Sequence, residues 1–161
     1  TVTQLPSDSL AIDDLGDVTG KLILDRPDLN APVKDGKIST TDRIVESAPT
    51  IKELAGKGAR IVVIAHQGRP GDPDYLESME QHAALLSKEV GRPIKYVHDL
   101  YGKDAVEAIQ ALKDGEILML KNLRPDEADP QFVTTLQPLF YAVINDAFSV
   151  SHRAFLFSCL F

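Results

Sequence analysis

The feature that most constrains the fold is a series of short, unbroken aliphatic runs, each followed by a polar loop and then a helical pattern. "KLILD" (Lys21 to Asp25), "RIVVIA" (Arg60 to Ala65), "PIKYV" (Pro93 to Val97), "EILML" (Glu116 to Leu120) and "YAVIND" (Tyr141 to Asp146) read as strands. Most are continuous rather than alternating, so neither face of the sheet they form can be left in water. A strand apolar on both faces belongs in a parallel sheet with helices packed on each side. The intervening segments supply those helices. "STTDRIVESAPTIKELAGKG" carries Ile44, Val45, Ala48, Ile51, Leu54 and Ala55 at helical spacing. Thr40 or Thr41 is its expected N-cap, Gly56 or Gly58 its C-cap, and Pro49 is expected to bend or interrupt it. "SMEQHAALLSKEVG" and "KDAVEAIQAL" follow the same logic, ending at Gly91 and at Asp114-Gly115, and "DPQFVTTLQPL" predicts a short helix. Asp35-Gly36 between Val33 and Ile38 predicts a small hairpin turn. The expected architecture is a three-layer, Rossmann-like α/β domain with a mostly parallel sheet of about five or six strands.

At 161 residues the chain has the length of one ordinary domain, enough to bury a sizeable core. Residues 1–20 read as an irregular acidic leader, 21–154 as the folded domain and 155–161 as an apolar tail. The leader carries acids early and lacks a basic start, so it does not read as a secretory signal. No apolar run approaches the length of a membrane-spanning helix. A net charge of −7 argues against nucleic acid or an acidic membrane as the main partner. The single cysteine, Cys159, excludes an internal disulfide and agrees with a reducing, cytoplasmic setting.

In an open parallel sheet, ligands bind beyond the carboxyl ends of the strands, where the strand-to-helix loops gather. Strand one is followed by Arg26, Asp28 and Asn30; strand two by His66, Gln67, Gly68 and Arg69. Strand four is followed by Lys121, Asn122 and Arg124, and strand five by Asn145, Asp146, His152 and Arg153. Arg43 falls in the first turn of the first helix, where the helix dipole also favours anions. Of seven arginines, only Arg60 and Arg92 lie away from these loops. Guanidinium is the group for two-pronged recognition of phosphate or carboxylate, so an arginine basket on an acidic protein suggests a small, multiply anionic ligand.

Each residue also has a bland role. His66 can be satisfied by backbone, Asp28 and Asn30 are ordinary turn formers, and Arg43 can pair with Glu46. Arg124 beside Asp126, Glu127 and Asp129 can be a solvated ion-pair cluster. These readings weaken jointly, because independent surface residues have no reason to choose one sheet edge. Competing chemistry finds little support. There is no glycine-rich nucleotide loop, no nucleophile elbow and no zinc-helix motif. His66, His82, His98 and His152 lack metal-ligand spacing, so no metal is expected, and nothing near Cys159 would activate its thiol.

Five stretches in order, "RPDLNAP", "TDRI", "AHQGRPG", "KNLR" and "NDAFSVSHRA", resemble the phosphoglycerate kinase family. The resemblance lies with its N-terminal, phosphoglycerate-binding domain, over residues 20–154, and looks most like the archaeal branch. It implies that Asp28 holds the glycerate hydroxyl, with Asn30 beside the carboxylate. His66, Arg69, Arg124 and Arg153, with Gln67 and Gly68 also binding substrate, would surround the 3-phosphate. Arg43 would contact the carboxyl end and stabilise the phosphoryl group in flight as the catalytic residue. The implied reaction is transfer between 1,3-bisphosphoglycerate and ADP, run mainly by positioning and electrostatics. ATP or ADP with Mg2+ would be bound by the family's C-terminal domain rather than by this chain.

Pro27 stands where the family has a β-branched residue, and Lys121 replaces an acid. The ending "FLFSCLF" departs from the family and reads as out of register with it, or as a surface for association. The expectation is a chain that binds 3-phosphoglycerate without turning over alone. Two alternatives stand beside it. One is a non-catalytic anion-binding module; the other is a hydrolase using Asp28 and His66 as an acid–base pair, which requires the two within hydrogen-bond reach.

Overall fold

The computed structural model describes residues 15–123, 135–144 and 154–156, with 137 and 154–156 described through the backbone only. Strand β1 (Leu22–Asp25) leads to a hairpin of β2 (Val33–Lys34) and β3 (Lys37–Ile38), then to helix α1 (Asp42–Gly56). β4 (Arg60–Val63), α2 (Glu80–Val90), β5 (Ile94–Val97), α3 (Lys103–Gln110) and β6 (Ile117–Leu120) follow. A 3-10 turn (Gln137–Leu139), β7 (Ala142–Ile144) and β8 (Ala154–Leu156) complete the described elements. Six strands form one sheet in the order β5-β6-β4-β1-β7-β8. The β1–β4, β1–β7, β4–β6 and β5–β6 pairs are parallel, and β8 runs antiparallel to β7. This is the mostly parallel α/β architecture expected from the unbroken aliphatic runs. β8 crosses the 154/155 division between folded domain and tail, while 157–161, with Cys159, lie outside the described residues.

Within each aliphatic run the side chains part by twos. Ile23, Ile61, Val63, Ile117 and Met119 join α1 and α2 in one core. Leu22, Leu24, Val62, Ile64, Leu118 and Leu120 join Ala105 and Ile109 of α3 in the other. Every residue of β1 and β6 is therefore buried, as a two-sided strand must be. β5, at the sheet edge, alone among these parallel strands lacks a fully buried residue.

Three local expectations change in detail. Helix α1 runs unbroken through Pro49, whose missing N–H removes the bond to Val45. Both residues are exposed, so the freed carbonyl lies on the solvent side and can be hydrated. Thr41 occupies the N-cap position of α1 but makes no side-chain cap bond; at the other end Gly58, at φ 86° just past Lys57, closes the helix, its amide donating to the Ala55 carbonyl at 3.0 Å. The leader's final residues are structural: Leu15 and Val18 are buried in the core with α1 and α2. The Tyr141 hydroxyl donates to the Leu15 carbonyl at 3.0 Å, tying that segment to the start of β7.

Candidate functional site

β1 lies at the centre of the sheet, with the chain leaving to one side through β4 and returning on the other as β7. This is where the strand order reverses, and the loops after β1 and β4 open above it. The hairpin predicted at Asp35-Gly36 forms next to them. Both residues have positive φ, 53° and 76°, as a two-residue turn of this hand requires.

The Asp28–Asn30 turn is built by its own side chains. Asp28 Oδ1 accepts from the Asn30 amide at 3.1 Å, and Asn30 Oδ1 accepts from the Gly68 amide at 2.9 Å. The two loops are thus joined at the point the sequence singles out. Arg43, from the first turn of α1, reaches across to them. Its Nη1 donates to Asp28 Oδ2 at 2.7 Å, with side-chain exposures of 53% and 39%. At that exposure the pair contributes little to stability but holds a guanidinium and a carboxylate side by side at the mouth of the two loops. A cavity of about 280 Å3 opens beside it, lined by Asn30, Ala31, Pro32, Thr40, Asp42, Arg43 and Asp74.

His66 and Arg69 are both exposed at the end of β4. Among the described residues neither makes a side-chain hydrogen bond or ion pair. Arg26, by contrast, is half-buried, and its backbone amide donates to the Ile144 carbonyl at 2.8 Å. Burial lowers the Arg26 pKa from its ordinary value. Gly68 sits at φ +61°, and a Cβ there would lie 2.8 Å from backbone atoms of both Asp74 and Tyr75. Only glycine allows this turn to close so tightly.

Gln67 is placed behind the loop rather than on its open side. It is fully buried, and its carboxamide oxygen accepts from the Ala31 amide at 2.9 Å. Its Nε2 donates to the Ala31 carbonyl at 2.7 Å and to the Asp74 carbonyl at 2.8 Å. Its backbone is held in turn by Asn122, 1% exposed, which accepts from the Gln67 amide at 3.1 Å and donates to the Gln67 carbonyl at 2.8 Å. Asn122 also donates to the Leu76 carbonyl at 2.6 Å. Its role as a clamp was hidden in the sequence, although an amide two residues past a buried strand and before an apolar leucine is a signal. Asp28 and His66 share no hydrogen bond; Asp28 is instead engaged by Arg43 and by the Asn30 amide. Arg124, Asn145, Asp146, His152 and Arg153 lie outside the described residues.

Comparison with known proteins decides the lineage. The family model described as phosphoglycerate kinase matches residues 12–156. The chain belongs to the phosphoglycerate kinase family. The phosphoglycerate kinase of Methanothermobacter thermautotrophicus is 46% identical over 156 residues, covering 89% of this chain and 38% of that protein. That of Halorubrum lacusprofundi is 42% identical over 164 residues, covering 95% of this chain and 37% of its own. The crystal structure of phosphoglycerate kinase from Pyrococcus horikoshii OT3 superposes with a TM-score of 0.81 at 35% identity, over 91% of this chain and 38% of that one. The chain therefore spans less than two-fifths of the length of these phosphoglycerate kinases.

Proposed function

We propose that this chain is the phosphoglycerate-binding portion of a phosphoglycerate kinase, and that by itself it binds 3-phosphoglycerate without appreciable phosphoryl transfer. The observation that carries the reading is the Arg43–Asp28 pair at 2.7 Å, next to a loop that leaves His66 and Arg69 exposed and unpaired among the described residues. Asp28 accepts the glycerate hydroxyl, and Asn30 lies beside the carboxylate. Arg69 and His66, with Arg124 and Arg153, surround the 3-phosphate. Arg43 turns from Asp28 towards the carboxyl end, where its fixed charge stabilises the phosphoryl group in flight.

ATP or ADP with Mg2+ is assigned to the part of the family's length outside the matched region.

Titration calorimetry with millimolar 3-phosphoglycerate tests the binding. Arg69→Ala should weaken it by about 10- to 100-fold, the loss of one charge-assisted phosphate contact. Absence of any binding heat with the folded wild-type chain would overturn the proposal. Sustained ATP-dependent turnover by the purified 161-residue chain would overturn its second half.

A further inference from the structure

Helix α2 takes no part in the site as described, yet its first turn reaches both loops from behind. Gln81 Oε1 accepts from the Ile38 amide at 3.0 Å, and its Nε2 donates to the Gly36 carbonyl at 2.8 Å, which pins the hairpin. The next residue, His82, is fully buried, and its Nε2 lies 2.9 Å from Gln67 Oε1.

The roles in that contact follow from the amide network. Gln67 Nε2 faces two carbonyls, of Ala31 and Asp74, while Oε1 faces the Ala31 N–H. Flipping the carboxamide would set N–H against N–H and oxygen against two oxygens, so its orientation is fixed. Oε1 therefore accepts from His82 as well, and His82 must carry its proton on Nε2. His82 Nδ1 is buried with no hydrogen-bond partner among the described residues, as suits an unprotonated nitrogen better than an N–H. With His82 in place, both hydrogens of the Gln67 amide and both lone pairs of its oxygen are engaged.

We propose that His82 is a positioning residue: by donating from Nε2 to Gln67 it locks the carboxamide that ties the Asn30–Ala31 segment to the Gly68–Asp74 loop. Resting on the functional reading above, the lock fixes Asn30 relative to His66 and Arg69, and with them the spacing of the glycerate and phosphate contacts. His82 touches no ligand in this arrangement. It acts through Gln67 alone.

The test compares wild type with His82→Leu, which fills the space without a donor, and His82→Gln, whose Nε2 stands the same number of bonds from the backbone. Amide hydrogen exchange is read first, without ligand. The Ala31 and Gly68 amides should exchange about tenfold faster in His82→Leu relative to amides of β1 and β4, and recover in His82→Gln. Affinity for 3-phosphoglycerate should fall and recover in the same order. Acceleration of all amides together would reduce His82 to a packing residue and overturn the proposal, as would unchanged exchange at Ala31 and Gly68. If His82→Leu does not fold, the imidazole nitrogen spectrum of the wild type decides: a proton on Nδ1 at neutral pH overturns the lock. A wild-type chain that binds no 3-phosphoglycerate defeats the functional reading, and the ligand-free exchange pattern still decides the role of His82.

Discussion

Gly68→Ala is the substitution for which the structure gives the sharpest expectation. Two costs add at this position. At φ +61° an L-residue meets its own carbonyl, a strain of about 1–2 kcal/mol for alanine. The new Cβ also falls 2.8 Å from Asp74 C, Tyr75 Cα and Tyr75 N, all backbone atoms that cannot rotate away. Shifting a packed segment to admit one methyl costs roughly 1–3 kcal/mol. Together these give about 3 kcal/mol, which in a chain of this size lowers the melting temperature by roughly 6–12 °C. The Asn30-to-Gly68 hydrogen bond is strained by the same shift, so 3-phosphoglycerate affinity should fall with stability. Urea unfolding and calorimetry on the purified variant measure both. Gly68→Asn separates the two costs, because asparagine tolerates positive φ but still carries the Cβ. It should recover only the backbone share, about 1 kcal/mol. A Gly68→Ala chain within about 0.5 kcal/mol of wild type, binding normally, would refute the reasoning.

Burial holds the His82 imidazole at a pKa of about 4, below the ordinary 6.5. The unfolded chain takes up that proton first, so stability is fully present above pH 6.5 and lost as pH falls towards 4. The loss amounts to about 3 kcal/mol at most. Urea unfolding between pH 7 and 4.5 should show a shallower acid slope in His82→Leu than in wild type; parallel curves would remove the claim. Asn122→Ala leaves the Gln67 amide and the Leu76 carbonyl without their side-chain partner, and the Gln67 carbonyl with only the long 3.5 Å bond from the Leu76 amide. It should cost about 3 kcal/mol or more by denaturant titration, although Asn122 is not proposed to touch ligand. Pro49→Ala restores an N–H to the exposed side of α1 and should raise stability by roughly 1 kcal/mol, with binding unchanged.

The five parallel strands were legible because a run such as Ile61–Ile64, apolar at every residue, has no stable home outside a two-sided sheet. Their order was less so: placing β5 at the edge and β6 between it and β4 depends on how each crossover packs, which no single segment encodes. Leu15 and Val18 were missed because two apolar residues amid "DDLGDVTG" carry no period to read. The site loops divide in the same way. Asp28, Asn30 and Gly68 could be grouped from sequence because strand ends collect at one edge. A polar residue in a loop, however, has no pattern telling which way it faces. Gln67 and Asn122 therefore look like surface chemistry in the sequence but turn inward in the fold.

That inward set suggests how the proposed site for a multiply charged ligand can be rigid without using up its own charges. The buried carboxamides of Gln67 and Asn122, joined by Gln81 at the hairpin, make their bonds chiefly to backbone amides and carbonyls of the loops. Amides suit this work because each offers donors and acceptors together and needs no countercharge when desolvated. An ion pair in the same place would carry a desolvation cost of several kcal/mol and would compete with the ligand for the arginines. Neutral side chains hold the loops from below, and Arg69 and His66 remain exposed above. Among the described residues of these loops, the Arg43–Asp28 pair alone joins charge to charge. At its exposure it is weak enough to part when a ligand offers each side chain a better partner.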